Sequence, residues 1–145
     1  MKTVLQRVSE ARVKINGEVV GAIDAGLLVL FCAEPDDDQE KASYFARKIA
    51  LMRIFEDNVG KMNLSVSDVG GAVLTVSQFT LVAEWRKGNR PGFSRAADPE
   101  TGEAMYNFFC AELRSHGLVV ETGRFGAAME VTLVNAGPVT IIMDD

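Results

Sequence analysis

Val13-Lys14-Ile15-Asn16-Gly17-Glu18-Val19-Val20-Gly21 is the stretch on which the architecture turns. Asn-Gly between two β-branched runs is the strongest short-range hairpin signal, because both residues tolerate the positive φ of a type I′ turn. Working outward, the chain from Val4 to Ile15 is one arm and Glu18–Ile23 is the return. Ala25-Gly26 then leads into Leu27-Leu28-Val29-Leu30-Phe31, a run too continuous for a strand with one wet face. It reads as a strand buried on both sides. The first 35 residues are therefore strands.

Helical spacing begins after Pro35-Asp36-Asp37-Asp38, where acidic residues cap a helix start and complement its dipole. Ala42, Phe45, Ala46, Ile49 and Met52 share one face, which predicts a helix from Gln39 to Phe55. Glu56–Gly60 is a turn and Lys61–Val66 a short strand. Gly70-Gly71 precedes a strand over Ala72–Val82. Pro99 suits the first turn of a second helix, residues 99–115, with Met105, Phe108, Phe109 and Leu113 on its apolar face and His116-Gly117 as its stop. Leu118–Glu121, Met129–Val134 and Val139–Met143 complete the strands. The pattern is α/β (α+β): one mainly β domain, residues 1–145, with two main helices.

The composition excludes several classes. At 145 residues with 48% hydrophobic and 24% charged, the chain can bury a core without disulfides or metals. Cys32 and Cys110 are isolated, with no Cys/His cluster, so no metal site and no cofactor are expected. Two scattered thiols in apolar surroundings fit a reducing cytoplasmic setting. The start, Met1-Lys2-Thr3-Val4-Leu5-Gln6-Arg7, lacks a signal-peptide core, and no apolar run reaches the ~18–20 residues of a membrane span. A net charge of -5 disfavours broad nucleic-acid binding but leaves room for a local basic patch, such as Arg86, Lys87, Arg90 and Arg95.

Two polar islands interrupt apolar runs. Ser77-Gln78-Phe79-Thr80-Leu81 ends the run Ala72–Val76, and Asn135-Ala136-Gly137-Pro138-Val139-Thr140 lies between Val131–Val134 and Ile141–Met143. Buried Ser, Gln and Thr cost free energy unless paired, and Gly-Pro removes a ladder donor. The two islands read either as sites or as a hydrogen-bonded core cluster and a turn. The usual hydrolytic sets are missing. His116, the single histidine, sits at a helix stop, and neither cysteine lies in a motif. A strand end with Ser77, Gln78, Thr80 and backbone N–H groups can stabilise an oxyanion. It does not activate a poor nucleophile, so it suits an already reactive ester.

These two motifs resemble the signatures of the D-aminoacyl-tRNA deacylase family. So do Val4–Ser9, Asn16–Gly21, Arg53–Asp57, Lys61–Ser65, Arg90–Ala97 and Glu121–Ala127, so the resemblance spans essentially the whole chain. It implies a curved, barrel-like, mostly antiparallel sheet with two helices. It also implies a homodimer with active sites at the subunit interface, no required metal, and hydrolysis of the ester between a D-amino acid and the 3′-terminal adenosine of tRNA. Phe79 and Thr80 would lie at the scissile ester, Gln78 at the terminal ribose and Ser77 beside them. Thr80 either positions water, assisted by the substrate 2′-hydroxyl, or attacks directly.

In the family the Gly137-Pro138 bond is cis and, with Val139, enters the partner's pocket to reject an L side chain. Arg7 matches a position that holds this loop. Phe125, Gly126 and Met129 match the region that receives the terminal adenine. A filter acting on an L-oriented Cβ has no grip on glycine, so glycyl-tRNA is also an expected substrate. The chain departs from the family at Ala136, Gly92 and Glu84-Trp85, positions that bear on substrate range. Two other readings remain: a deacylase tuned to a mischarged L- or achiral aminoacyl-tRNA, and a non-catalytic tRNA-end-binding module.

Overall fold

One strand organises the molecule. In the computed structural model, which describes residues 1–145, β1 (Lys2–Ile15) pairs antiparallel with β2 (Glu18–Ile23), β3 (Gly26–Cys32) and β8 (Glu130–Asp144). The β1–β2 turn is the Asn16-Gly17 pair, with φ of 50° and 81°. Two parallel pairings extend the sheet, from β3 to β6 (Ala72–Ser77) and from β6 to β7 (Val120–Thr122). β7 then comes round to β2, where a Cβ on Gly21 would stand 2.5 Å from the Thr122 carbonyl oxygen. The result is a nearly closed, barrel-like mixed sheet. β4 (Phe55–Glu56) and β5 (Met62–Leu64) form a separate small hairpin.

The continuous apolar run of β3 divides between two cores. Leu28 joins Val8, Val13, Leu74 and Val76 in one cluster. Leu27, Val29 and Phe31 join the helices in the other, where the Phe31 and Phe109 rings stack at 4.6 Å. Each fully buried side chain of this size contributes about 1.5–3 kcal/mol. α1 (Gln39–Leu51) and α2 (Pro99–Ser115) are capped by Asp38 and Asp98, which accept from the N–H of Lys41 and Thr101. Near α1 the Met1 ammonium lies 2.7 Å from Asp37 and 3.1 Å from Glu34. Burial works against the Asp37 carboxylate, but its hydrogen bonds to that ammonium, to the Glu34 N–H and to Lys41 hold it below its ordinary range.

Three sequence expectations change. α1 stops at Leu51 rather than Phe55, because Met52 is extended (ψ 123°) and Phe55 pairs with Leu64. The strand predicted to Val82 ends at Ser77, and Phe79–Val82 is a 3-10 turn. The two predicted C-terminal strands are one, β8, which keeps pairing with β1 across the Gly-Pro step.

Candidate active site

The two polar islands occupy different kinds of structure. At the first, parallel pairing carries β6 beside β3 as far as Ser77 opposite Phe31. The Gln78 N–H then donates to the Phe31 carbonyl (2.7 Å), and the chain turns into the 3-10 segment. The N–H groups of Phe79 and Thr80 open that segment, where the turn itself supplies no partner for them. Such orphan donors are characteristic of a helix start. The Gln78 amide donates to the Thr80 hydroxyl oxygen, and Phe79 projects with 56% of its surface exposed.

Behind this turn the structure is fixed. The Thr75 hydroxyl lies 3.1 Å from both Tyr106 Oη and Cys110 Sγ, and Tyr106 donates to the Thr75 carbonyl at 2.8 Å. This buried cluster pins α2 to β6 two residues before Ser77. The Cys32 thiol donates to the Phe79 carbonyl at 3.6 Å. Burial first, and then Glu34, push the Cys32 thiol up to about 11, so it stays neutral and is no nucleophile.

A cleft of about 540 Å³ opens here, lined by Ser77, Gln78 and Phe79 on one side and Phe125, Gly126 and Met129 on the other. These six residues belong to two separate groups in the sequence. Parallel pairing of Thr75 with Thr122 and the bond from the Gly123 N–H to the Thr75 carbonyl bring them together. Val76, Phe93, Ala96, Ala97, Pro99, Ala127 and Val131 complete the wall and were not singled out from sequence. For Phe93 a signal existed: it is the one aromatic between Pro91 and the Asp98 cap, and it meets Phe79 edge-on at 5.1 Å.

The second island is a bulge. Gln6 pairs with Thr140 and Val8 with Asn135, so residues 136–139 stand opposite Arg7 alone. The Gly137-Pro138 peptide is cis, and both residues are exposed. Arg7 is buried beneath them. Its Nε donates to the Ala136 carbonyl (3.0 Å) and its Nη1 to the Ile54 carbonyl (2.7 Å). The Asn135 side chain closes the bulge by accepting from the Val139 N–H at 2.9 Å. Gly137 has φ 126°, and a Cβ there would stand 2.6 Å from Arg7 Nη2, so the position accepts glycine alone. Gly137, Pro138, Val139 and Arg7 do not line the cleft of Gln78 and Phe125 in the same chain.

Of the basic loop, Arg95 is committed to ion pairs with Glu34 (2.6 Å) and Glu84 (3.4 Å), unlike the free cation the sequence allowed. His116 caps α2 away from any catalytic partner, its N–H donating to the Leu113 carbonyl. The site therefore offers oriented N–H donors, an amide, a hydroxyl and an apolar wall, with no base beside the hydroxyl.

Comparison with known proteins agrees along the full chain. Residues 4–144 match the model of the D-Tyr-tRNA(Tyr) deacylase family. A D-aminoacyl-tRNA deacylase of Ruegeria pomeroyi is 58% identical over 144 residues, covering 99% of both chains. One of Anaeromyxobacter dehalogenans is also 58% identical, covering 99% of this chain and 97% of the relative. Among solved structures, a c-Myc DNA unwinding element binding protein superposes with a TM-score of 0.93 at 41% identity, covering 100% of this chain and 99% of the other. A probable eukaryotic D-amino acid tRNA deacylase shares the fold at a TM-score of 0.85 and 18% identity.

Proposed function

This chain belongs to the D-aminoacyl-tRNA deacylase family, and we propose that it hydrolyses the ester joining a D-amino acid to the terminal ribose of tRNA. The observation that carries the reading is the cleft itself. It joins the start of the 3-10 turn, at Gln78 and Phe79, to an aromatic wall, and the adjoining Thr80 hydroxyl is engaged by the Gln78 amide rather than by a base. Water adds to the ester carbonyl carbon, and the Phe79 and Thr80 N–H groups hold the oxyanion. The tetrahedral intermediate expels the ribose oxygen, with the neighbouring 2′-hydroxyl relaying the proton. Gln78 orients the ribose and Thr80. The adenine lies against Phe125, Gly126 and Met129.

Chirality is read from outside the cleft. The exposed Gly137-Pro138 bulge, held by Arg7 and braced by Val139, enters the cleft of a second copy and presents backbone carbonyls there. An L side chain clashes with them, while the α-amino group of a D residue is held. Main-chain recognition leaves side-chain size free, and glycine passes. The assembly is a homodimer. Its support is β8, a 15-residue edge strand whose inner face packs Leu133, Val139, Ile141 and Met143 on the cores while Val134 and Ile142 stand exposed. A long apolar edge of this kind is normally covered. The role is proofreading of mischarged tRNA in the cytoplasm, and no helix is long and apolar enough to cross a membrane.

A deacylation assay tests the activity. D-tyrosyl-tRNA should lose its labelled amino acid with catalytic amounts of protein. Binding of tRNA without release would support the silent end-binding module instead.

A further inference from the structure

A single-stranded 3′ end whose last ribose sits at Gln78 and Thr80 must leave the cleft with its preceding nucleotides. We propose that the loop spanning residues 84–90 carries those nucleotides, with Trp85 stacking a base and Arg86, Lys87 and Arg90 meeting phosphates. The inference rests on the functional reading above for the position of the ribose.

Trp85 is 69% exposed, the most exposed aromatic of the chain. The Arg86 guanidinium lies 5.3 Å from its ring centroid. An aromatic face beside a cation is the combination that holds unpaired bases and their backbone. The loop is continuous with the cleft. Glu84 and Gly92 exchange backbone hydrogen bonds of 2.8 and 3.0 Å, and the next residue after Gly92 is Phe93, which lines the cleft and contacts Phe79. In an antiparallel pair the residues opposite and two further along share a face. Trp85 and Phe93 directly follow the two bridged residues, one on each arm of the loop.

Charge points the same way. Arg95 anchors the base of the loop through Glu34 and Glu84, whereas Arg86, Lys87 and Arg90 form no ion pair. Three uncommitted cations in a chain with pI ≈ 4.9 make a local anion site on an otherwise repelling surface.

Trp85 is the one tryptophan, so its fluorescence reports the event without catalysis. Titration with uncharged tRNA, or with an oligoribonucleotide ending in CCA, should quench or shift the emission, with a midpoint that weakens as salt rises. Adenosine alone, and tRNA trimmed of its 3′ CCA, should leave it unchanged. No response to CCA-ended RNA overturns the proposal, and so does an equal response to trimmed tRNA. In kinetics, Trp85→Ala should raise KM for D-tyrosyl-tRNA about tenfold with kcat kept, and leave D-tyrosyl-adenosine hydrolysis within about twofold. Arg86→Ala should make the log–log salt dependence shallower by about 0.7. Unchanged KM for Trp85→Ala, or equal losses on both substrates, overturns the assignment. If the wild-type protein fails to cleave D-tyrosyl-tRNA, the functional reading falls. Quenching by CCA-ended RNA would then still support the loop's role, and its absence would still overturn it.

Discussion

At the residue scale, Thr80 invites assignment as a nucleophile, and its surroundings argue otherwise. Its hydroxyl accepts from Gln78 and has no base beside it, and the neutral Cys32 thiol beneath Phe79 offers none. Thr80→Ala should therefore retain at least about a tenth of kcat, since lost positioning costs less than a lost covalent step. Single-turnover measurement checks this, and abolished turnover would restore the nucleophile. Arg7 and Gly137 form a matched pair. Arg7→Ala leaves two carbonyls unpaired in part-buried surroundings, where hydrogen bonds to charged groups contribute about 1.5–3 kcal/mol each. It should lower the melting temperature and relax discrimination against L-aminoacyl esters together. Asp37 contributes to the acid limit, together with Asp57, Asp68 and Asp98, whose carboxyls are also held low by hydrogen bonds. The Asp37 carboxyl lies below the ordinary value of 3.8, so its stabilisation is complete above that pH and is lost as pH falls further. Melting temperature followed from pH 7 to pH 3 should hold and then drop below about 4, and Asp37→Asn should flatten that fall.

At the element scale, the site depends on two departures from regular strands. β6 ends at Ser77 in a 3-10 turn, and that ending is what frees the Phe79 and Thr80 N–H groups. β8 keeps its pairing through four residues opposite one, which pushes Gly137-Pro138 outward. Neither was legible as a shape. Leu81-Val82 continues the apolar pattern of Ala72–Val76, so periodicity gave no stop, and the Gly-Pro step reads locally as a turn between two strands. The end of α1 was missed for a similar reason. Met52 and Phe55 keep helical spacing with Ile49, although Phe55 is buried from a hairpin rather than from a helix. What was legible had strong local chemistry: the Asn16-Gly17 turn, the acidic start of α1, and the approximate extent of α2 from Pro99 to its stop at His116-Gly117. Thr75 belongs to this scale, because it locks α2 against the strand that leads into the site. Thr75→Val keeps shape and the Tyr106 bond to the residue 75 carbonyl but removes the hydroxyl contacts to Tyr106 and Cys110, and should destabilise by about 0.5–1.5 kcal/mol in chemical denaturation.

At the scale of the whole molecule, the cleft and the chirality filter lie on separate parts of one chain. Ser77, Gln78, Phe79, Phe125, Gly126 and Met129 converge, while Gly137 and Pro138 face outward on the edge strand β8, held from below by the buried Arg7 of β1. Composition and periodicity do not foretell that convergence, since it arises from parallel pairing between strands more than forty positions apart. The family motifs named the residues, and the fold supplies their grouping. In the homodimer proposed above, a complete site would draw on two copies, each lending its bulge to the other's cleft. The most direct test compares hydrolysis of D-tyrosyl-tRNA and L-tyrosyl-tRNA at one protein concentration, with glycyl-tRNA alongside. The account predicts rapid release from the D-tyrosyl and glycyl esters and near-background release from the L-tyrosyl ester. Equal rates on the D- and L-tyrosyl esters would contradict it.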